Sequence, residues 1–383
     1  MRATAVIGAN FGDEGKGLLT DYLAAQDPAG TVVVRFNGGA QAGHTVITPA
    51  GRRHVFHHFG SGSLAGARTF LSRHFIVNPF LWDKERKELP DLALPMHVDR
   101  RAMLTTPFDM LVNQEAERFR GNHRHGSCGI GINETVERCG GPLATVVADI
   151  DRPTRLRELL EGIAERSLSR LEQLAVAPSP FFLEMVRSEA LVASYLELCD
   201  QFRWAEHLVD GPAALPGFRH VVFEGAQGLL LDERHRFFPH VTRSRTGIHN
   251  VARIAAEVGL QELEVVYVTR TYLTRHGAGP FPTERPGLSF PDPTNAPNEW
   301  QGALRFGDLD IPLMAESIAN DLSDTGGLRV APYLAVTCLD QVPGAVPVRI
   351  ADACGLPLGY SSLGPSRDRV TTWGRLSSSA GPR

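Results

Sequence analysis

The chain has 383 residues, with 43 Asp and Glu against 39 Lys and Arg, for a formal net charge of −4. A balance this close to neutral argues against a nucleic-acid duplex or an anionic membrane as the main partner, and leaves room for small phosphorylated ligands that need only local positive charge. The length accommodates one large α/β domain or two smaller ones. The five cysteines (Cys128, Cys139, Cys199, Cys338 and Cys354) have neither CxxC spacing nor zinc-like pairing with histidine, which points to a reduced, intracellular chain. Met1-Arg2-Ala3-Thr4 leads straight into a short apolar run with no signal-peptide pattern, and no uncharged apolar stretch is long enough for a bilayer. A cytoplasmic protein is expected.

In chain order, residues 3–8 read as a buried strand closed by Gly8, and residues 31–36 as a second, β-branched strand followed by Gly38 and Gly39. Residues 220–223, 263–269 and 333–337 repeat the pattern. Short, uninterrupted apolar runs of this kind belong to strands covered on both faces of a parallel sheet. Residues 153–175 have helical spacing, with Leu156, Leu159, Leu160, Ile163, Leu168, Leu171 and Leu174 on one side. Residues 186–202 and 311–322 are predicted helices, and residues 283–298, rich in Pro, Asn and Asp, a loop. The expected architecture is a mostly parallel central sheet flanked by helices, like that of P-loop NTPases, as one elaborated α/β domain over residues 1–375 with a flexible tail at 376–383.

Loops that follow the strands carry the chemistry, as expected at the carboxyl ends of an open α/β sheet. The first is Asn10-Phe11-Gly12-Asp13-Glu14-Gly15-Lys16-Gly17. Its glycines let backbone N–H groups approach phosphate oxygens and Lys16 adds a point charge. It is not a Walker A loop, because Asn10 stands at that pattern's first glycine and Gly17 replaces the hydroxyl after the lysine. Two carboxylates inside a phosphate loop imply a metal or a base. The second is Asn37-Gly38-Gly39-Ala40-Gln41-Ala42-Gly43-His44-Thr45, which suits a substrate carbonyl and a polyphosphate. The third is Phe223-Glu224-Gly225-Ala226-Gln227-Gly228, followed later by Thr242. The fourth runs from Arg275 and His276 through Gly-Ala-Gly-Pro-Phe-Pro-Thr-Glu at 277–284, and the fifth joins Thr337-Cys338-Leu339-Asp340 to Gly364-Pro365-Ser366-Arg367. Each alone is explained by an ordinary turn, and Asp340 could accept hydrogen bonds from a base edge.

Taken together and in order, these segments resemble the adenylosuccinate synthetase family from end to end, with Gly-Asp-Glu-Gly-Lys-Gly and Gly-Ala-Gly-Pro-Phe-Pro-Thr-Glu the most specific runs. The resemblance implies a ligase that phosphorylates the C6 oxygen of a purine nucleoside monophosphate and replaces it with L-aspartate, using a nucleoside triphosphate and Mg2+ in a homodimer. Asp13 would take the N1 proton and ligate magnesium together with the Gly43 carbonyl. His44 would act at the transferring phosphoryl group and Gln227 would hold the C6 oxygen. Gly12, Glu14, Gly15, Lys16, Gly17, Gly43, Thr45, Asp340 and Gly364 would bind the triphosphate. Asn37, Gln41, Ser127, Cys128 and Thr242 would bind the monophosphate, with Arg138 reaching a partner's substrate phosphate across the dimer. The roles are chemically coherent: removing the N1 proton makes O6 nucleophilic toward a γ-phosphate, and the phosphate so formed is displaced by the amine of aspartate.

Three segments depart from the family pattern. The aspartate loop, here 298–308, lacks the paired threonines and keeps Arg305 as its carboxylate partner beside Gln301 and Gly302. The phosphate loop reads Gly126-Ser127-Cys128-Gly129-Ile130-Gly131, and Cys338 replaces the lysine that lies against guanine. These changes resemble the viral branch, the 2-aminodeoxyadenylosuccinate synthases, which take dGMP with ATP or dATP and feed diaminopurine DNA synthesis in a host cytoplasm. Retention of Asp13 would make the chain an ancestor-like member of that branch, or a divergent enzyme acting on IMP with GTP. A nucleotide-binding NTPase or regulatory module would explain the glycine loops but not the convergence of His44 and Gln227.

Overall fold

A computed structural model of the chain describes residues 1–92, 94–121, 127–292 and 303–373. A ten-stranded sheet runs through it. From one edge to the other the strands are Val370–Thr372, Leu358–Ser362, Arg329–Thr337, Glu262–Arg270, Arg2–Gly8, His220–Gly228, Thr31–Arg35, Arg68–Leu71, His97–Asp99 and His207–Val209. Neighbours pair in parallel throughout, except that Val370–Thr372 runs antiparallel to Leu358–Ser362. The five strands read from the sequence are the five at the centre, and all their carboxyl ends lie on one side.

Alternate residues explain the unbroken apolar runs. Ala5, Ile7, Val221, Phe223, Val265, Tyr267, Leu334 and Val336 bury one face together with Val251 and Ile254 of the His249–Glu257 helix and Met314 and Ile318 of the Ile311–Leu322 helix. Val6, Val222, Val266, Val268 and Ala335 bury the other against Leu19 and Leu23 of the Lys16–Ala25 helix. A strand covered on both faces has no polar alternation to display. The helices Pro79–Glu88, Pro107–Arg120, Pro153–Gln173 and Glu189–Ala205 build a further core around Trp82, Phe108, Leu156, Leu160, Ile163, Tyr195 and Phe202.

The predicted 311–322 helix has the bounds expected, and the 153–175 helix ends two residues earlier, at Gln173. The 186–202 helix begins later, because Ser188 accepts a hydrogen bond from Leu191 N and caps a helix running over Glu189–Ala205. The strand read as 220–223 continues to Gly228, so Glu224 and Gln227 lie in the strand and not in the loop after it. Periodicity could not show this, because the added residues are two glycines, two polar side chains and a single alanine. The proposed tail and residues 293–298 of the 283–298 loop fall outside the described residues, as do Gly126, Gln301 and Gly302.

Candidate active site

The Lys16–Ala25 helix starts directly from the loop after the first strand. Gly15 is its N-cap with φ 91° and provides no side-chain cap. The first-turn N–H groups are therefore left for an external acceptor, and the positive end of the helix dipole faces the loop. A Cβ at Gly15 would lie 3.0 Å from Cγ2 of Thr337, whose hydroxyl donates to the Glu14 carbonyl at 2.8 Å. The loop is thus pinned to the end of the Arg329–Thr337 strand.

Among the described residues four non-glycine positions have positive φ, and three of them are Asp13 (57°), Gln227 (57°) and Cys338 (58°). All three follow or end central strands on the same side of the sheet. Strain of about 1–3 kcal/mol per such residue persists only where the surroundings over-determine it, and it clusters at functional sites.

The side chains on these loops converge. Lys16 is buried, its ammonium depressed in pKa by burial against the pull of Glu14, Asp13 and Glu224. Oε1 of Glu14 accepts the Asn10 N–H at 2.6 Å, while its Oε2 is buried with no hydrogen bond. Burial lifts the Glu14 carboxyl to about 7, against the Lys16 charge and the Asn10 hydrogen bonds. Asp13 behaves oppositely. Burial alone would raise it, but His276, 3.1 Å from its Oδ2, together with Arg270 and Lys16, holds it at about 2. Arg270 Nε also donates to the Asp13 carbonyl.

His44 opens the His44–Ile47 strand beside Gly17, where a Cβ would come within 3.2 Å of the His44 Cβ. Its Nδ1 lies 2.7 Å from Oε1 of Glu224, and its Nε2 is buried without a partner. Burial pushes His44 down to about 4, despite Glu224. Glu224, fully buried, is nevertheless held at about 2, because His44, Arg35 and Ser61 outweigh its own desolvation. The consistent arrangement is a neutral imidazole that donates Nδ1–H to a carboxylate and leaves its buried Nε2 without a partner.

Gln227 and Gln41 complete the constellation. A Cβ on Gly38 would sit 3.2 Å from Gln227 Oε1 and 3.3 Å from Gln41 Nε2, so a glycine is required where the two amides close in. Gln227 Oε1 and both polar atoms of Gln41 are buried and unpartnered. Buried polar atoms are normally hydrogen-bonded, so this set marks the place of a polar ligand. Asn37 supports the backbone instead. Its amide accepts from Ala226 N at 2.7 Å and donates to Ala226 O at 3.1 Å, which holds the Gln227 segment. Thr242 lies in the adjoining segment, its N–H bonded to Leu231 O, and Ser244 of the same segment accepts the Gly38 N–H at 2.9 Å.

The remaining expected residues are more dispersed. Gly43 is exposed and Thr45 partly buried, flanking His44. Asp340 is exposed just beyond Cys338, and Gly364 lies in the turn after the neighbouring strand, its N–H on Ser362 Oγ. Ser127 accepts from Asn113 Nδ2 at 2.8 Å, and the Cys128 thiol is pushed up to about 11 by burial. Gln301 and Gly302 lie outside the described residues.

Two arginines do not stand as expected. Arg138 is 1% exposed and its guanidinium donates to Asp109 twice, to Leu104 O, to Leu143 O and to Thr145 Oγ1. All five of its N–H donors are engaged within its own fold, which leaves none for a phosphate across a dimer interface. Arg305 holds Glu284 with Nε and Nη2 and donates from Nη1 to the carbonyls of Gly277 and Gly279. Its fork already carries a carboxylate of this chain.

Sequence reasoning passed over Glu224, Ser61, Arg35, Arg270 and His276. For Glu224 and Arg35 there was a signal: each is a charged residue directly after an apolar, buried run of a strand. Arg35 is 0% exposed, 3.9 Å from Glu224, and donates to the carbonyls of His57 and Phe59.

Among the described residues no group of three or more His, Cys, Asp or Glu could by itself enclose a metal. Magnesium needs no such cage, since it is held through one or two carboxylates plus substrate phosphates and water. Asp13, the Gly43 carbonyl and the unpartnered Oε2 of Glu14 are hard oxygen donors of the right kind. No helix among the described residues is long and apolar enough to cross a membrane.

A mostly parallel sheet with a bare helix start, a buried lysine and a His–Glu pair at its carboxyl end defines an α/β protein whose loops there suit an anionic ligand. The family model described as adenylosuccinate synthetase matches residues 5–324, and the chain belongs to that family. The adenylosuccinate synthetase of Nostoc sp. is 32% identical over 296 residues, covering 75% of this chain and 63% of the relative. That of Synechocystis sp. is 33% identical over 291 residues, covering 74% and 63%. The match thus spans a little under two thirds of the relatives' length. Two solved structures share the fold. Fully ligated adenylosuccinate synthetase of Plasmodium falciparum superposes with TM-score 0.74 at 18% identity, covering 98% of this chain and 100% of that one. The succinoaminodeoxyadenylate synthetase of cyanophage S-2L, bound to dGMP and to dATP as an energy donor, gives TM-score 0.63 at 16% identity, covering 97% and 95%.

Proposed function

We propose that this chain joins L-aspartate to C6 of a purine nucleoside monophosphate through a 6-phosphoryl intermediate, driven by a purine nucleoside triphosphate. The observation that carries the reading is that Asp13, Lys16, His44 and Gln227 all lie at the carboxyl end of the central strands, with buried, unpartnered polar atoms on His44, Gln227 and Gln41. Asp13 is a carboxylate in position to accept the N1 proton. The Gln227 amide can hold the C6 oxygen while it becomes a nucleophile. Lys16 and the bare helix start hold phosphate oxygens, and His44 Nε2 meets the transferring group. Magnesium, held by Asp13 and the Gly43 carbonyl, would neutralise charge on the phosphates. The anion brought by those phosphates favours a protonated His44, opposing the burial that keeps it neutral.

For the acceptor, dGMP with ATP or dATP is the reading favoured, giving 2-aminodeoxyadenylosuccinate for diaminopurine DNA in an infected cell's cytoplasm. It is supported by Cys338 at the position of the guanine-facing lysine and by the shared fold of the cyanophage enzyme that binds dGMP and dATP. The second reading, IMP with GTP, is supported by Asp13 and by the cyanobacterial relatives named adenylosuccinate synthetase. In either case a homodimer acting on free nucleotides, and not on nucleic acid, is proposed. The test is a substrate matrix of IMP, GMP and dGMP against GTP, ATP and dATP, each with aspartate, read by mass spectrometry. Succinyl product from dGMP alone establishes the first reading and product from IMP alone the second. Phosphate release that needs neither monophosphate nor aspartate returns the chain to the NTPase class.

A further inference from the structure

The second loop of the site, from Gly38 to His44, has little rigidity of its own. Three of its seven residues are glycines, which leave the chain conformationally free. Its start is tied down: the Gly38 N–H donates to Ser244 Oγ at 2.9 Å, and Gly38 O accepts the Ile76 N–H at 2.8 Å. Its end is tied down by the strand pairing that sets His44 opposite Phe56. Between these points lie Gln41, whose two buried amide atoms have no partner, and Gly43. His57 reaches this stretch from outside, with Nδ1 2.9 Å from the Ala40 carbonyl. A carbonyl can only accept, so Nδ1 carries the proton and donates it. Ala40 is 1% exposed, and among the described residues no other donor reaches its oxygen. A Cβ on Gly43 would come within 3.6 Å of His57 Cε1, so the same ring lies beside the Gly43 backbone.

His57 is itself held by the core. It directly follows the Arg53–Phe56 strand. Its N–H and that of His58 donate to the two oxygens of Glu85 at 2.8 and 2.6 Å. Glu85 is buried and belongs to the Pro79–Glu88 helix. The His57 carbonyl accepts Nη1 of Arg35 at 3.1 Å. His58 Nε2 accepts the Asn78 N–H at 3.1 Å, and Asn78 caps the same helix through Phe80 N and Leu81 N. Two adjacent backbone donors on one buried carboxylate leave His57 little freedom. The place of its ring is inherited from that helix and from the Thr31–Arg35 strand.

We propose that His57 is a positioning residue for the Ala40–Gly43 stretch, an inference that rests on the ligase reading above. By holding the Ala40 carbonyl, it fixes where the Gln41 amide stands beside Gln227. It acts through the backbone and leaves the open polar atoms of the site to the ligand. Cutting the tie strands a buried carbonyl and frees a glycine-rich segment, which must then be ordered again each time a ligand binds. The ligand class that bears this cost is the purine nucleoside monophosphate, the proposed partner of Gln41. Aspartate, assigned to other loops, does not bear it.

The experiment uses the full-length enzyme and three variants. His57→Phe and His57→Ala remove the donor, the first keeping a ring. His57→Asn keeps an N–H donor at the same number of bonds from the backbone. Folding is checked by circular dichroism, and dissociation constants for IMP and dGMP are read by titration calorimetry without triphosphate or aspartate. Loss of one neutral hydrogen bond corresponds to about 3- to 10-fold in an equilibrium constant. Both donor-less variants are expected to weaken binding of the monophosphate by that factor, with KM for aspartate in steady-state phosphate release within about 3-fold. His57→Asn recovers most of the loss. Should one donor-less variant fail to fold, the other carries the comparison. Failure of both to fold makes His57 a folding residue and overturns the proposal. Unchanged monophosphate affinity in the donor-less variants, an equal weakening in His57→Asn, or an equal rise in KM for aspartate overturns it too. Wild-type enzyme that binds neither IMP nor dGMP overturns the ligase reading and this inference together, a result visible before any variant is compared.

Discussion

Nδ1 of His44 and Oε1 of Glu224 lie 2.7 Å apart with both side chains buried, and Glu224 also accepts the Ser61 N–H at 3.1 Å and the Ser61 hydroxyl. Three donors on one carboxylate fix the tautomer and the ring plane of His44, so the direction of Nε2 is set before any substrate arrives. Glu224 therefore positions His44 without touching the reacting atoms. Glu224→Gln places an amide where at least two N–H or O–H donors converge, and the imidazole loses its charged partner. The expected outcome is a fall in kcat of about 10- to 100-fold with nucleotide KM values within about 3-fold, measured by steady-state phosphate release. A uniform loss in all parameters, tracking a loss of folded protein, would make Glu224 structural only.

Asp13 has φ 57°, a conformation that Asn adopts as readily as Asp. Asp13→Asn therefore removes the proposed base without straining the loop. Turnover is expected to fall by about 10²- to 10⁴-fold, the usual contribution of acid–base catalysis. The melting temperature should move little, because the His276 contact it weakens lies at the partly exposed mouth. Wild-type-like rates would remove Asp13 from the chemistry.

Cys338 sits at φ 58° just past the end of the Arg329–Thr337 strand. A β-branched residue cannot take that conformation without strain, whereas glycine takes it freely. Cys338→Val is expected to lower stability by about 1–3 kcal/mol in denaturant unfolding, and Cys338→Gly to leave stability and turnover close to wild type. A large loss of turnover in the glycine variant would give the thiol a direct role at the donor nucleotide.

Asp321 is 9% exposed, accepts the Ile248 N–H at 2.8 Å and the Tyr267 hydroxyl at 2.7 Å, and is raised by burial from 3.8 to about 6. Because the folded state holds the proton more tightly than the unfolded chain, this group's contribution to stability is greatest below about pH 4. It is lost as pH rises to about 6, a change of roughly 3 kcal/mol. Asp321→Asn keeps an acceptor for Ile248 and offers Tyr267 a donor. Urea unfolding at a series of pH values should show a shallower loss of stability between about pH 4 and 6 in the variant. Identical slopes would assign the change to other carboxyls.

The central strands were legible because they are buried on both faces: Ala5, Val6 and Ile7 need no polar partner, so the run is continuous in the sequence. The loop after the first strand was legible as a candidate phosphate loop because glycines beside a lysine suit the approach of a phosphate. Family membership followed from the order of those loops, and it is the family whose model matches residues 5–324.

Amino-acid order alone determined the five central strands and nominated the Gly12–Gly17 loop and the residues Asp13, Lys16, His44 and Gln227. Only the tertiary structure decided how their neighbours are used. Glu224 reaches His44 across 180 positions, Arg138 turns inward to Asp109, and Arg305 grips Glu284. A side chain's partner depends on which loops the sheet brings edge to edge, and on which charges burial forces to pair. Local sequence records neither, because both arise from contacts between segments far apart along the chain.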